Sequence, residues 1–173
     1  MIIDVPVLVV GSGPAALVAA KVVGGWGLST LLVGHEPVVG AHEHDPVVLQ
    51  PDAVAILEVP GILNILRPYL TAVSPPEITT ADFEDVVKHH CVVDMNVTVY
   101  DAMTLVDFRP GDSGGGAGVL TDGGARWDVH ADLVIDTATW PCDLNGAVRA
   151  GGAAAESVLA ARREHLTPGS LAG

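Results

Sequence analysis

Residues 5–33 read VPVLVVGSGPAALVAAKVVGGWGLSTLLV. Val5 to Val10 is a short run rich in valine that stops at a glycine, the pattern of a buried strand in a parallel sheet. Gly11-Ser12-Gly13-Pro14-Ala15-Ala16 follows, then the helix-forming stretch LVAAKVV, which Gly24, Gly25 and Gly27 bring to a stop. Ser29 to Val33 is a second strand. Strand, glycine turn, helix and strand within about thirty residues form the βαβ setting that gives a G-x-G-x-x-G/A pattern its meaning. Gly11 permits the tight turn out of the strand, and Gly13 lets a pyrophosphate approach the backbone. Ala16, small where a third glycine would stand, lets the helix lie close on the sheet. The N–H groups of the first helical turn then meet the phosphate charge, and Pro14 gives up only a donor that has no helical acceptor.

Outward from this unit, residues 34–50 read as a loop containing Gly34, Pro37, Gly40 and Pro46. Beyond Asp52, AVAILEV and GILNILRPYL are two short amphipathic helices split at Pro60-Gly61, and Ser74-Pro75-Pro76 is a turn. Thr80, followed by Asp82 and Glu84, is expected to cap a helix running through FEDVVKHHC. Val97 to Tyr100 is a third parallel strand. MTLVDF, GAGVLTD and ARWDVH, separated by Gly/Asp-rich turns, form a three-stranded meander, and LVIDT is a further buried strand. The final helix runs from about Asn145 to Glu164. The expected fold class is α/β: a Rossmann-like central parallel sheet with helices and a three-stranded antiparallel β-meander. It occupies one domain over residues 1–166, followed by a flexible tail over 167–173.

Composition narrows the function. With 49% hydrophobic residues and a mean hydropathy of +0.44, the chain is not a disordered one. Aromatic residues make up only 4%, so the core is built from small aliphatic side chains. The net charge is −13, from 21 acidic and 8 basic residues, and the one adjacent basic pair is Arg162-Arg163. That balance disfavours nucleic acid and anionic membranes as partners. The N-terminus has no basic leader region, and its apolar run is too short to span a bilayer. Cys91 and Cys142 form no CxxC and are expected to be buried or semi-buried thiols in a reducing cytosol, so the chain is expected to be cytoplasmic.

Other chemistry-bearing residues receive ordinary roles. His42-Glu43-His44-Asp45, even with His35 nearby, reads as a solvated loop, and no metal is assigned to it. His89-His90-Cys91 ends a helix, where histidine complements the dipole. Ser12 lacks a G-x-S-x-G elbow, and Asp82, Glu84 and Asp85 are helix-start acids. No catalytic residue is assigned.

The stretch VLVVGSGPAALVAAKVVGGWGLSTLLVGHEP resembles the opening of FAD-dependent oxidoreductases, particularly the aromatic-ring hydroxylase flavin monooxygenases. VVLQPDAVAILEVPGILNIL is similar to that family's helix pair after the second strand. ITTADFEDVV, NVTVY, the meander and ADLVIDTATWP keep the order of its FAD-binding domain, and DLNGAVRAGGAAAESVL resembles the helix that closes the flavin site. The resemblance implies FAD held by Gly11, Ser12, Gly13, Pro14, Ala15 and Ala16. It places Gly34, His35 and Glu36 at the adenosine ribose, Asp101 and Ala102 nearby, and Thr137, Ala138 and Thr139 beside the pyrophosphate.

Departures from the family pattern keep two functions open. Gly34 stands where the family has an acid, with Glu36 two residues later; Trp140 replaces an expected glycine, and a Gly-Asp segment is missing between Pro141 and Asp143. The resemblance covers the FAD domain and no substrate domain. One function is a minimal FAD-binding subunit that supports an oxidoreductase or monooxygenase reaction with a partner. The other is a non-catalytic structural or regulatory subunit, derived from such a domain, that has lost its cofactor. An NAD-binding module is a third and weaker option. The apolar face between Ile56 and Val73 and the −13 charge point to a different, less acidic protein subunit, a hetero-oligomer in preference to a homodimer.

Overall fold

The computed structural model describes residues 1–34, 44–100, 103–111, 114–137 and 143–166, with side chains up to Arg163. The valine-rich run becomes β1 (Ile2–Val10), inside a six-stranded sheet with β2 (Thr30–Val33), β6 (Val97–Tyr100), β7 (Thr104–Pro110), β8 (Gly116–Thr121) and β9 (Arg126–Asp136). Their order is β6-β2-β1-β9-β8-β7. The first four strands in that order are parallel, and β9, β8 and β7 pair antiparallel. The sheet is thus mixed, as the α/β reading with a meander expects.

One boundary differs. ARWDVH and LVIDT are not two strands but the two halves of β9, which runs unbroken for 11 residues. Asp128, His130 and Asp132 point outward while Val129, Ala131, Leu133 and Ile135 are buried, so the polar residues alternate with the core and do not interrupt it. The third strand of the meander is therefore also a strand of the parallel sheet.

A second, three-stranded antiparallel sheet lies where a loop and a turn were expected. It comprises β3 (Pro46–Val48), β4 (Ala72–Val73) and β5 (Pro76–Thr79). Pro46 and Pro76 each open a strand, a position where the missing N–H is tolerated.

Helix α1 (Pro14–Gly25) is buried on nearly every side, with Ala15, Ala16, Leu17, Val18, Ala19 and Ala20 all in the core. It packs between the sheet, α4 (Thr80–Val92) and α5 (Leu144–Leu166). Only small side chains allow a helix to be approached so closely from several directions. Thr79, not Thr80, caps α4: its Oγ1 accepts from the Asp82 N–H at 3.0 Å, while Thr80 is the first helical residue and is buried. At the far end of α4, Asp94 pairs with Lys21 of α1. Burial alone would raise the Asp94 carboxyl, but hydrogen bonds from Lys21 and the Asn96 N–H outweigh it and hold the pKa below the usual value. Burial, foremost, pushes the Cys91 thiol up to about 12, which leaves it unreactive. Cys142 lies outside the described residues.

The apolar face between Ile56 and Val73 is largely covered within the chain. Leu57 of α2 (Pro51–Glu58) and Ile62, Leu63 and Leu66 of α3 (Ile62–Leu66) are buried, while Val59, Tyr69 and Val73 stay exposed. A groove of about 500 Å3 between α1, α2 and α5 remains open, with Trp26 and Val59 in its walls. No described helix is long and apolar enough to cross a membrane.

Candidate dinucleotide site

Four parallel strands end together, with Val10 in register with Val33 and Asp136, and Val33 with Tyr100. Hydrogen bonds tie those ends to one another. The Gly11 N–H donates to the Val33 carbonyl (2.9 Å), and the Gly34 N–H donates to the Tyr100 carbonyl (3.2 Å). Thr137 donates to the Val10 carbonyl through both its N–H (2.9 Å) and its Oγ1 (3.0 Å). The carboxyl end of a parallel sheet is where open α/β folds bind ligands. Here it gathers Gly11 to Ala16, Gly34 and Thr137. Expected site residues His35, Glu36, Asp101, Ala102, Ala138 and Thr139 lie outside the described residues, as do Trp140, His42 and Glu43.

The two glycines of the loop have different reasons. Gly11 has φ +140°, a conformation that L side chains rarely adopt, and a Cβ there would collide with Thr137 Oγ1. Gly13 has φ −88° and ψ −177°, which any residue adopts, and a Cβ on it would meet nothing within 4 Å. The fold needs glycine at 11. At 13 the missing side chain only opens space beside the first turn of α1.

That turn is electrically exposed. Leu17 N–H makes the first helical bond, to the Gly13 carbonyl at 3.2 Å. By helix geometry the N–H groups of Gly13, Ala15 and Ala16 have no helical acceptor, and Pro14 has none to offer. No side chain caps the turn and no acid lies within it. The contrast with the neighbouring helices is informative. Thr79 caps α4, and the Asp143 carboxylate accepts from the Gly146 N–H in the first turn of α5 at 2.7 Å. Only α1, of these three, presents an uncompensated positive end to the strand termini.

Beside the loop runs a narrow cleft lined by Gly11, Ser12, Leu17, Gly34, Val99 and Lys88. Sequence reading gave Lys88 no role. It is the strand order β6-β2-β1 that brings α4 to this cleft. One turn earlier on α4 is Glu84, fully buried. Burial and then the Asp85 carboxylate raise its pKa from 4.5 to about 7, against the opposing pull of Lys88. It lies near the start of α4, as the reading of a helix-start acid has it, but it is buried in the core.

The sign of its effect on stability follows from linkage. The folded state holds this proton more tightly than the unfolded chain, so stability is full below pH 4.5 and declines as pH rises through about 7. The loss is on the order of 3 kcal/mol. Glu84→Gln is therefore expected to match the wild type in urea at pH 4.5 and to exceed it by that amount at about pH 8. Equal midpoints at both pH values would contradict the raised pKa. Among the described residues, no group of three His, Cys, Asp or Glu side chains is placed to hold a metal.

No protein-family model and no curated protein matches the sequence. Solved structures do share the fold. p-Nitrophenol 4-monooxygenase PnpA from Pseudomonas putida DLL-E4 superposes with a TM-score of 0.63 at 17% identity, over 78% of this chain and 40% of its own. The flavin-dependent monooxygenase PieE, solved with FAD and substrate, gives 0.64 at 17% identity, over 76% and 30%. The rebeccamycin biosynthetic enzyme REBC gives 0.65 at 15% identity, over 80% and 33%. The chain thus has a fold found in flavin-dependent monooxygenases and spans less than half the length of these three.

Proposed function

We propose that this chain binds FAD at the Gly11–Ala16 loop and supports, with another protein subunit, an oxidoreductase or monooxygenase reaction in the cytosol. The observation that carries the reading is Gly13, a glycine with ordinary dihedrals and empty space over it, set before the uncapped end of α1. A pyrophosphate fits both features: it needs close approach to the backbone and the N–H groups of Gly13, Ala15 and Ala16. Gly11 and Thr137 hold the floor of the loop, and Ser12 and Lys88 line its side. Bound FAD supplies two-electron redox chemistry, which no described side chain at this site provides. The ionisable side chains described near the loop, Lys88 and Asp136, are given no role towards a substrate. Assigning the substrate-facing groups to a partner accords with this, and the −13 charge favours a less acidic partner over a second copy.

A thermal-shift titration tests the reading. Ligand that binds only the folded state stabilises it, by about 2.7 kcal/mol at a hundredfold excess over Kd. FAD is expected to raise the Tm well above the effect of FMN, which has no pyrophosphate bridge to adenosine, or of NAD. A Tm unmoved by excess FAD would instead favour the second reading, a structural subunit that has lost its cofactor. That reading is supported by Gly34, which puts no carboxylate at position 34, directly after β2. Mass measurement of the complex purified from the native source tests the partner. A monodisperse monomer with full flavin activity would refute it.

A further inference from the structure

We infer that Gly151 of α5 is a positioning residue for the dinucleotide site, an inference that rests on the FAD reading above. Gly151 is buried against the first turn of α1. A Cβ on it would collide with the Ala15 carbonyl oxygen and would lie 3.2 Å from the Ala15 carbonyl carbon and 3.1 Å from Val18 Cβ. The obstacle is backbone, which cannot rotate aside as a side-chain end can.

The Ala15 carbonyl shares one rigid peptide plane with the Ala16 N–H. Pressure on the oxygen therefore tilts or displaces one of the three donors that face the pyrophosphate. Neither helix has an easy way to yield. α1 is held on its other faces by the sheet and α4, with Ala16 Cβ only 3.4 Å from where a Gly11 Cβ would stand. At the start of α5, the buried Asn145 accepts from the Gln50 N–H (2.8 Å) and donates to the Val48 carbonyl (3.0 Å). One turn later Arg149 reaches Gln50 Oε1 (2.7 Å) and Asp52 Oδ2 (3.1 Å). The first turn of α1, open on the ligand side, is the part left to move.

Gly152 supplies the control. It is buried beside Gly151, but a Cβ there meets Ile56 Cγ2 of α2 at 2.6 Å, and its three nearest atoms all belong to the Ile56 side chain. The experiment measures FAD and ADP affinity by calorimetry, and urea stability, for the wild type, Gly151→Ala and Gly152→Ala. Gly151→Ala is expected to weaken both ligands by about tenfold or more, the effect of misaligning one charge-assisted hydrogen bond. Adenosine, which lacks the pyrophosphate, should lose little. Gly152→Ala is expected to lower stability while FAD and ADP affinity stay unchanged. If Gly151→Ala is too unstable to purify free, it is refolded in saturating FAD, and a wild-type Kd in the recovered protein overturns the inference. Equal loss of affinity in both variants, or equal loss of adenosine and ADP, also overturns it. A wild type that binds no FAD overturns the FAD reading itself, which is a separate outcome.

Discussion

Gly13→Asp is expected to weaken FAD binding by at least about a hundredfold while the protein becomes slightly more stable than the wild type. Position 13 has φ −88° and ψ −177°, the extended backbone typical of a helix N-cap, and its missing Cβ faces open space. Aspartate is among the preferred N-cap residues, so its carboxylate would accept from the first-turn N–H groups and add a few tenths of a kcal/mol to α1. Those are the donors that the pyrophosphate needs. The carboxylate thus competes for them and repels the phosphates as well. Stability and affinity move in opposite directions, which a variant that merely damages the fold cannot produce. Retention of wild-type affinity in a folded Gly13→Asp protein would show that the ligand does not cross this turn.

Gly11→Ala is expected to act the other way, on the fold first. Placing an L side chain at φ +140° costs about 1–3 kcal/mol, and forcing Cβ against Thr137 adds about as much. The combined loss is on the order of 2–6 kcal/mol, a large share of the 5–15 typical of a domain. A double-mutant cycle separates the two causes. Thr137→Ala removes the Oγ1 that the new Cβ would strike, so Gly11→Ala should cost less in that background, by about 1–3 kcal/mol. Additive urea stabilities would mean that the collision is not what makes glycine necessary.

These two positions also show what a sequence discloses. The βαβ unit was legible because valine periodicity, the glycine turn and the alanine-rich helix all agree within residues 5–33. The different reasons for Gly11 and Gly13 were not. One depends on Thr137, 126 positions later, and the other on nothing in the chain. β9 was read as two strands because Ala131-Asp132 looked like a break, whereas Asp132 simply occupies the outward side of a continuous alternation. The sheet β3-β5-β4 escaped notice because its strands are two to four residues long and two of them begin with proline. Thr79 and Thr80 compete for one cap, and the spacing to Asp82 settles it for Thr79. Lys88, Glu84 and Gly151 acquire their roles from helix packing and strand order, which no local pattern encodes.

In the proposed function the uncapped first turn of α1 holds the FAD pyrophosphate. An amide NMR titration of the 15N-labelled chain with FAD tests it most directly. The shifts are expected to be largest at the N–H groups of Gly13, Ala15 and Ala16, with smaller ones at Gly11, Ser12, Gly34 and Thr137. They should saturate together at one Kd and be reproduced at α1 by ADP. Amide signals of α1 that stay in place while FAD is added to excess, or that move less than those of elements away from the strand ends, would contradict the account.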